Sequence, residues 1–298
     1  MNKILITGAN GFLGRYLVNK LSNDNFVSGL SKSQSDYTVD LSTQIPEFKE
    51  QFDTIIHCAG IAHSFPNRNL NNHIYHDVNV IGTNNLLKSL IAQLPKKFIF
   101  ISSVSVYGLI EGKFINEDFP TLANDPYGKS KIDAENIIKD WCNMNNVICT
   151  ILRLPLIVGD NPPGNLGSML NAIKKGFYFN IAGGTSKKSM VLLSDIGQYI
   201  LLASNAGGIF NLTDGYNPSF YELSNHFART YKKKINFNLP FWLAKLIAKF
   251  GDYIGHKFPF NSFKLTKIIN TLTFDDSKAR NTFGWRPTSV LIGFEPTN

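Results

Sequence analysis

Cysteine is scarce in this 298-residue sequence, and the three cysteines present form no recognisable set. Cys58, Cys142 and Cys149 give no even-numbered disulfide framework and no spacing typical of metal ligands. We therefore expect reduced thiols and no metal site, which favours the cytoplasm. The sequence also lacks an apolar run of the roughly 18 residues that a membrane span needs, and its N-terminus lacks the pattern of a secretory signal peptide. These absences together predict a cytoplasmic protein that does not span a membrane.

Clustered charge is also rare. The formal net charge is +8, but the basic residues are scattered, and the one tight run is Lys232–Lys234. A scattered positive excess is explained equally well by a polyanionic small substrate. Because nucleic-acid-binding proteins usually concentrate their basic residues on one face, we expect no nucleic-acid partner.

Apolar runs of strand length alternate with helical patterns through the first half of the chain. This alternation predicts an α/β fold with a parallel sheet and right-handed crossovers. The second half is less regular, and from about residue 216 its pattern is mostly helical with aromatic insertions. The predicted strands are Ile4–Thr7, Phe26–Leu30, Thr54–Cys58, Phe98–Ser102, Val147–Leu152 and Ile209–Leu212, and the predicted helices are Phe12–Leu21, Val78–Leu94, Asp133–Trp141 and Ser194–Ser204.

A glycine-rich loop joins the first predicted strand to the first predicted helix. Gly8 permits a tight turn, Gly11 lets the backbone approach a pyrophosphate, and Gly14 allows close packing of the helix on the strand. A helix that begins here offers free N–H groups and a favourable dipole to phosphate. The context predicts a Rossmann-type doubly wound sheet that binds a dinucleotide. The residues expected to line this part of the cofactor site are Gly8, Asn10, Gly11, Phe12, Leu13 and Gly14.

The second predicted strand lacks the carboxylate that usually binds the ribose 2′-hydroxyl of NAD. It runs instead into Ser31-Lys32-Ser33. A carboxylate would repel a 2′-phosphate, whereas Ser31 and Lys32 could bind one with help from Arg15, so the sequence favours NADP(H). The alternative is that Lys32 is a solvated loop charge and that selectivity is loose, which leaves NAD(H) open.

Tyr127 and Lys131 lie four residues apart, so on a helix their side chains share one face. A nearby cation lowers the pKa of a phenol, which would make Tyr127 a usable proton donor or acceptor. Such a pair alone is a common surface coincidence, but here Ser102 and Ser103 end a buried strand upstream. Ligands of open α/β sheets bind beyond the carboxyl ends of strands. The combination predicts that Ser103 holds the substrate oxygen that Tyr127 protonates or deprotonates.

These motifs, in this order, resemble the extended short-chain dehydrogenase/reductase family over nearly the whole chain. The matching segments are Thr7–Gly14, Asp40-Leu41, His57–Gly60, Asn79–Thr83, Ser102–Gly108, Tyr127–Lys131 and Arg153–Pro155. The resemblance implies that Ser103, Tyr127 and Lys131 are catalytic and that Lys131 also hydrogen-bonds the nicotinamide ribose. Further cofactor contacts are expected, besides the glycine loop and Ser31-Lys32, from Asp40, Leu41, Ala59, Gly60, Asn79 and Pro155.

The resemblance also bears on the reaction. Dehydratases of the family carry an Asp-Glu pair directly after the catalytic hydroxyl, where this chain has Val104 and Ser105, so we do not expect dehydration. The second half most resembles bacterial reductases of UDP-4-keto-6-deoxy-N-acetylhexosamines, which make precursors of surface polysaccharides. The segments that carry this are Ile151–Gly159, Gly164–Leu166, Lys187–Ser189, Ser194–Ile196, Asp275–Lys278 and Gly284–Pro287.

The expected reaction is hydride transfer from NADPH to C4 of such a UDP-linked keto sugar, with Tyr127 donating the proton. Two alternatives remain open. One is a UDP-sugar C4 epimerase with tightly bound NAD, and the other is a non-catalytic dinucleotide sensor on the same fold.

The resemblance places the UDP diphosphate against Asn165 and Lys188. Most relatives have arginine where this chain has Lys188, and lysine lacks the bidentate fork of arginine; the alternative is a solvated surface charge. Ser105 and His63 are candidate sugar contacts. Their alternatives are a plain strand-end hydroxyl and a packed or exposed loop histidine.

We expect two interleaved parts. The dinucleotide-binding domain comprises residues 1–155 and about 189–213, and a smaller nucleotide-sugar lobe comprises about 156–188 and 214–298. The segment 239–254 fits two interpretations, packing within the lobe or an amphipathic helix at a membrane surface. The resemblance further implies a homodimer.

Overall fold

A sheet of seven parallel strands forms the centre of the computed structural model, which describes residues 1–62, 73–235, 237–255, 258 and 260–295. The strands are β1 (Lys3–Thr7), β2 (Phe26–Ser31), β3 (Tyr37–Thr38), β4 (Thr54–His57), β5 (Lys97–Ser103), β6 (Gly112–Ile115), β7 (Ile148–Leu154), β8 (Leu156–Val158), β9 (Asn180–Ile181), β10 (Met190–Leu192), β11 (Gly208–Asn211), β12 (Asn238–Leu239) and β13 (Leu272–Phe274). The helices are α1 (Phe12–Leu21), α2 (His73–His76), α3 (Gly82–Leu90), α4 (Pro126–Met144), α5 (Gly164–Lys175), α6 (Leu193–Ala203), α7 (Phe220–Thr230), α8 (Phe241–Ile254), α9 (Ser262–Ile269), α10 (Ser277–Phe283) and α11 (Val290–Gly293). A π-helical segment, Asp77–Ile81, joins α2 to α3, and short 3₁₀ turns span Val104–Tyr107 and Ala182–Gly184.

The strand order in the central sheet is β3-β2-β1-β4-β5-β7-β11, and every neighbouring pair is parallel. The order runs outward in both directions from the junction of β1 and β4. The carboxyl ends of these two strands therefore flank a crevice, which is where doubly wound sheets bind ligands. This order confirms the predicted Rossmann-type α/β fold.

Alternating side chains of β1 contribute to the cores on the two faces of the sheet. Ile4 and Ile6 belong to a buried cluster with Leu17 of α1 and Ile196 of α6, whereas Leu5 belongs to a second cluster. The second cluster also contains residues of α3 and α4, namely Leu86, Leu87, Leu90, Ile138 and Trp141. Helices thus cover both faces, as a buried parallel sheet requires.

Beyond the central sheet, three short parallel strand pairs form: β8 with β10, β9 with β12, and β6 with β13. Helices α5 and α7 share a separate buried cluster that includes Leu170 and Phe227. Helices α8 and α9 share another, which includes Ala248 and Leu265. The division into a dinucleotide-binding domain and a substrate lobe at about residues 155, 189 and 213 stays a prediction.

Helix α4 extends far beyond the predicted Asp133–Trp141. It begins at Pro126 because Asp125 caps it, with Oδ1 accepting a hydrogen bond of 3.0 Å from the Gly128 amide. Proline suits the first helical position, where its missing N–H would have no partner. By contrast, the predicted helix Val78–Leu94 is π-helical up to Ile81 and ends at Leu90. Such π segments often lie at functional sites.

None of the helices within the described ranges combines the length and the apolar character needed to cross a bilayer.

Candidate functional site

The loop between β1 and α1 depends on its glycines. Gly8 has a φ of +67°, and a Cβ there would lie 2.8 Å from the backbone nitrogen of Ala59. A Cβ at Gly14 would lie 2.1 Å from the carbonyl oxygen of Gly8, so a larger residue would push α1 away from β1. The Gly11 amide donates to the Gly8 carbonyl at 2.8 Å and closes the turn. The loop is therefore tight, and a side chain at Gly8 or Gly14 would clash with the neighbouring backbone.

The N-terminus of α1 faces this loop without a side-chain cap, since Gly11 is the N-cap residue. Phe12 and Leu13 follow in the first turn, and Leu13 is buried beneath it. The first N–H groups of a helix have no intrahelical acceptor and favour an anion. The glycine cradle and the uncapped helix end together fit the diphosphate of a dinucleotide.

The Asn10 amide ties the loop to the end of β2. It donates to Ser31 Oγ at 2.9 Å and to the Ser33 carbonyl, and Ser31 Oγ itself donates to the Ser33 carbonyl at 2.6 Å. Lys32 Nζ forms an ion pair of 3.0 Å with Asp40 Oδ2. The two groups expected to bind a 2′-phosphate, Ser31 and Lys32, therefore already have partners within the chain.

A carboxylate does lie beside β2, from a position that the strand pattern misses. Asp36, in the turn before β3, returns so that its Oδ2 accepts a hydrogen bond of 2.7 Å from the Gly29 amide. Asp36, Asn10 and Arg15 line one surface cavity, and Arg15 Nη2 donates to the Asn10 carbonyl at 3.0 Å. The sequence shows no carboxylate in the segment Ser31–Ser33 at the end of β2. In the structure, however, the turn before β3 places the Asp36 carboxylate beside β2.

Asp40 and Leu41 follow β3. Asp40 Oδ1 accepts hydrogen bonds from the amide and the hydroxyl of Ser42, at 3.0 and 2.6 Å. Leu41 is buried, and its carbonyl accepts a hydrogen bond of 2.8 Å from Asn85. The pair with Lys32 fixes Asp40 near the end of β2. The predicted cofactor contacts of Asp40 and Leu41 stay predictions.

Ala59 and Gly60 leave β4 beside the π-helical segment. Asn79, in that segment, accepts a hydrogen bond of 2.8 Å from the Ile61 amide and donates one of 2.9 Å to Ser130 Oγ. A Cβ at Gly60 would lie 3.1 Å from Asn79 Oδ1 and 3.8 Å from Lys131 Nζ. The structure thus brings Gly60, Asn79 and Lys131 together. Ser130 joins them as a contact that the sequence motifs did not single out.

The Tyr127 hydroxyl lies near Ser103 at the carboxyl end of β5, close enough for the Ser103 hydroxyl to lower the pKa of the phenol. Ser103 Oγ also accepts a hydrogen bond of 3.1 Å from the Ser105 amide and lies 3.1 Å from Ser105 Oγ. Tyr127 occupies the first turn of α4 and is buried, with the ring of Tyr75 edge-on at 6.0 Å. An acid/base hydroxyl and a hydroxyl that could position a substrate oxygen are therefore in contact, as the spacing predicts. Tyr75 was not predicted.

Lys131 has hydrogen-bond and ring contacts that the sequence did not indicate. Burial raises the pKa of Tyr127, partly opposed by its hydrogen bond with Ser103. Lys131 Nζ donates instead to the Ile101 carbonyl at 2.7 Å and lies 4.1 Å from the centre of the Phe100 ring. Burial lowers the pKa of Lys131 to about 8. The pKa of Tyr127 is therefore raised, where the sequence predicts a lowered one, and burial is the main cause.

Gly128, directly after Tyr127, lets α4 approach the turn that follows β5. A Cβ at Gly128 would lie 2.5 Å from Ala123 Cβ and 2.9 Å from the carbonyl oxygen of Ser105. The distance between Tyr127 and the Ser103–Ser105 turn therefore depends on this glycine.

Beneath the site lies a buried ion pair that sequence reasoning missed. Arg153 of β7 donates to Glu135 of α4 through Nε at 3.1 Å and Nη2 at 2.7 Å, and Ser102 Oγ donates to Glu135 at 2.5 Å. Glu135 follows Lys131 by one more helical turn and opposes the lowering of the Lys131 pKa. Tyr127, Lys131 and Glu135 are spaced four residues apart, so they share one face of α4, and this spacing could have indicated Glu135 as part of the site. Ser102 thus faces this pair, while Ser103 faces Tyr127.

The predicted substrate residues lie on other elements. Asn165 is exposed in the first turn of α5, and Pro155 is half-buried between β7 and β8. Lys188 is half-buried and bridges to Leu272; burial, and then the neighbouring charge of Lys267, lower its pKa to about 8. The alternative of a fully solvated charge therefore does not describe Lys188. His63 lies outside the described residues.

The Lys131→Met protein is expected to be more stable than wild type at pH 7. The ordinary pKa of lysine is 10.5 and that of Lys131 is about 8. Below pH 8 the Lys131 ammonium is therefore charged in both states but better solvated in the unfolded chain, which lowers the free energy of unfolding of the wild type. This difference is worth on the order of 3 kcal/mol, offset by about 1 kcal/mol for the lost hydrogen bond to Ile101. The gain in the free energy of unfolding is largest below the folded-state pKa of Lys131, about 8, and disappears as the pH rises towards 10.5.

Urea unfolding near pH 7 and near pH 10 measures this gain. Lys129→Met is the matched control, since Lys129 is exposed on the same helix and should show no such change. Equal free energies of unfolding for wild type and Lys131→Met at pH 7 would contradict the burial argument.

The doubly wound sheet and its glycine loop define the class of protein as a dinucleotide-dependent enzyme of Rossmann fold. The chain belongs to the NAD dependent epimerase/dehydratase family, whose model it matches over residues 4–212. The predicted resemblance is thereby confirmed. The protein is an NAD(P)-dependent enzyme of the nucleotide-sugar epimerase/dehydratase type.

Known relatives resemble the chain along its whole length. It is 29% identical to N-acetyl-alpha-D-glucosaminyl-diphospho-ditrans,octacis-undecaprenol 4-epimerase of Escherichia coli O157:H7, covering 99% of this chain and 94% of the relative. It is 28% identical to UDP-glucose 4-epimerase of Vibrio cholerae, with the same coverage. Among solved structures, UDP-N-acetylglucosamine 4-epimerase from Bacillus cereus matches with a TM-score of 0.73 at 21% identity, covering 96% of this chain and 93% of that one. The structural match supports the fold.

Proposed function

We propose that the protein is a C4 epimerase of a diphosphate-linked sugar, with a UDP-sugar as the first candidate. The observation that carries the proposal is the Ser103–Tyr127 hydroxyl pair at the carboxyl edge of the sheet, followed by Val104 and Ser105 in place of a second acid/base pair. Epimerisation needs one acid/base group that works in both directions. Two relatives that span nearly the whole chain are both named 4-epimerases.

In the proposed mechanism, Tyr127 accepts the proton of the C4 hydroxyl while the C4–H bond breaks, which leaves a 4-keto sugar. A nicotinamide held beside this site would supply the acceptor, and then the donor, of the hydride. Tyr127 then gives the proton back to the same oxygen as the C–H bond forms on the opposite face. The overall reaction consumes neither hydride nor proton.

The other residues of the site support this transfer. Ser103 positions the substrate oxygen next to Tyr127, and Lys131 supplies a positive charge that favours the deprotonated phenol once a ligand draws it away from Ile101. The loop Gly8–Gly14 and the Asn79–Gly60 contact would hold the diphosphate and the nicotinamide side of the cofactor. Asn165 and Lys188 stay the proposed contacts to the substrate diphosphate, and Ser105 to the sugar.

NAD is the cofactor that we propose. The carboxylate of Asp36 beside β2 disfavours a second anion there, and the charge of Lys32 is offset by Asp40. Arg15, whose guanidinium lies beside Asn10, is a cation that could bind a 2′-phosphate and is the observation that favours NADP. With NADPH, the same residues would carry out the predicted reduction of a UDP-4-keto-6-deoxy-N-acetylhexosamine, which is the second candidate.

One experiment separates the candidates. We expect purified protein to release close to one NAD per chain on denaturation, and to convert UDP-N-acetylglucosamine, UDP-glucose or a polyprenyl diphosphate-linked N-acetylglucosamine to its C4 epimer without net change in absorbance at 340 nm. Release would be measured by chromatography and epimers by NMR. Stoichiometric oxidation of NADPH with a UDP-4-keto sugar, and no epimer from the panel, would establish the reductase instead. Bound cofactor with neither reaction would support the sensor.

The predicted homodimer and the predicted cytoplasmic location stay predictions.

A further inference from the structure

Helix α8 leaves several of its large apolar side chains exposed. Its inward face is built from small residues, since Ala244, Ala248 and Gly251 are buried. A Cβ at Gly251 would lie 1.8 Å from the carbonyl oxygen of Phe260, so the helix lies directly against the neighbouring chain. Leu243 and Ile247 are half-buried and pack against the same cluster, whereas the other large apolar residues of the helix point elsewhere.

They point outward. Trp242 is 64% exposed, Leu246 57%, Phe250 58% and Tyr253 91%. Steps of four, four and three residues keep these four side chains on one face, opposite Ala244 and Ala248. A helix on a water-facing surface normally shows polar residues there. We call these four residues the outer face of α8.

An aromatic surface continues from α8 onto neighbouring elements. Strand β12, directly before α8, pairs with β9. The exposed rings of Phe237 and Phe179, which precede these strands, lie 5.9 Å apart. Exposed Phe177 follows the end of α5. Exposed aromatic residues therefore also lie on the segment directly before α8 and just before the strand paired with it.

The charges of this region are mostly positive. Lys245 and Lys249 are exposed on α8 between the apolar residues, and Lys232–Lys234 are exposed ahead of β12. Lys174 and Lys175 end α5, and Lys174 Nζ lies 5.7 Å from the Tyr231 ring, which places it near the Lys232–Lys234 segment. The acidic residue of α8, Asp252, accepts hydrogen bonds from the amide and hydroxyl of Ser262.

We propose that the outer face of α8 docks on the surface of an anionic lipid bilayer. Trp and Tyr suit the interface between headgroups and acyl chains, and lysines at the border of such a face suit anionic headgroups. The helix has 14 residues, about 21 Å, against the roughly 30 Å of a hydrocarbon core, so it lies in the plane of the surface.

Charge favours a bilayer over a second copy of the chain. In a two-fold contact each copy would present the same positively charged face, so like charges would be brought together, whereas anionic headgroups would neutralise them. The inference is independent of the proposed reaction.

Sedimentation of the full chain with large unilamellar vesicles tests the proposal. We expect binding to vesicles of phosphatidylcholine with phosphatidylglycerol, at least about tenfold weaker binding to phosphatidylcholine alone, and weakening as salt rises. The tryptophan emission should shift to shorter wavelength on binding. Trp242 would report this, because Trp141 and Trp285 are buried.

Two double variants provide the matched comparison. Trp242→Glu with Phe250→Glu should reduce vesicle binding at least about tenfold, whereas Met144→Glu with Ile292→Glu makes the same change at two other exposed apolar residues and should retain most of it. Both should keep the wild-type melting temperature and activity.

Three results would overturn the proposal. One is wild-type protein that stays in solution with phosphatidylglycerol vesicles at low salt. Another is equal loss of binding in the two double variants. The third is a wild-type dimer that Trp242→Glu with Phe250→Glu converts to a monomer, which would assign the face to a second copy.

Discussion

The Tyr127→Phe protein is expected to lose about 10²- to 10⁴-fold in kcat while it binds cofactor as wild type does. The substitution keeps the ring, which is buried against Tyr75, and removes the hydroxyl that contacts Ser103. It therefore deletes the proposed proton carrier with little change in packing. Initial rates with the epimerisation substrate, or with NADPH and a keto sugar, measure the loss.

Tyr178→Phe is the matched control. Tyr178 is half-buried, and burial raises its pKa to about 12, but it packs in the cluster of α5 and α7, which contains no residue of β5. It should leave kcat unchanged. Turnover by Tyr127→Phe within twofold of wild type, with normal cofactor binding, would overturn the assignment of Tyr127 in both the epimerase and the reductase.

The raised pKa of Tyr127 limits how this site can work. Since burial keeps the phenol protonated in the protein alone, the tyrosine is ready to donate but not to accept a proton. A positive charge close to it would reverse this preference. Lys131 lies one helical turn away on the same face of α4. The proposed mechanism therefore needs its ammonium to leave the Ile101 carbonyl for a ligand hydroxyl.

Local sequence signals predicted the central part of the fold well. Helix α1 begins and ends where the spacing of its apolar residues predicts, and β1, β2, β4, β5, β7 and β11 were each located to within about two residues. The helix α1 buries one apolar stripe and the strands are buried on both faces, so their apolar residues form a clear pattern in the sequence. The strands β6, β8, β9, β12 and β13 have two to four residues each, which is too short to show any periodicity.

Contacts between distant parts of the chain explain what the sequence missed. Asp36 reaches Gly29 of β2 because the chain turns back between β2 and β3. Lys131 hydrogen-bonds to the Ile101 carbonyl because α4 packs against β5. The resemblance located Ser103 and Tyr127 at positions that do meet in space. It could not show which partner each side chain takes, since that depends on the packing of α4 against β5.

The Arg153→Met protein is expected to lose about 3–5 kcal/mol of stability. Arg153 and Glu135 are both almost completely buried, with N–O distances of 2.7 and 3.1 Å. Removing the guanidinium leaves the Glu135 carboxylate in the interior with Ser102 as its remaining hydrogen-bond donor. Urea unfolding should show the loss, and the melting temperature should fall by about 10 °C.

The double variant Glu135→Leu with Arg153→Met distinguishes the value of the pair from the cost of an unpaired charge. Replacing a buried ion pair by apolar residues is often neutral or stabilising, because neither charge then has to leave water. We therefore expect the double variant to recover most of the stability that Arg153→Met loses. Arg280→Met should cost less than Arg153→Met, because the Arg280 guanidinium is half-exposed and the buried Asp276 carboxylate keeps hydrogen bonds from Thr213 and Trp285. A double variant as unstable as Arg153→Met would mean that the packing of Arg153 on the Tyr107 ring, at 4.9 Å, matters more than its charge.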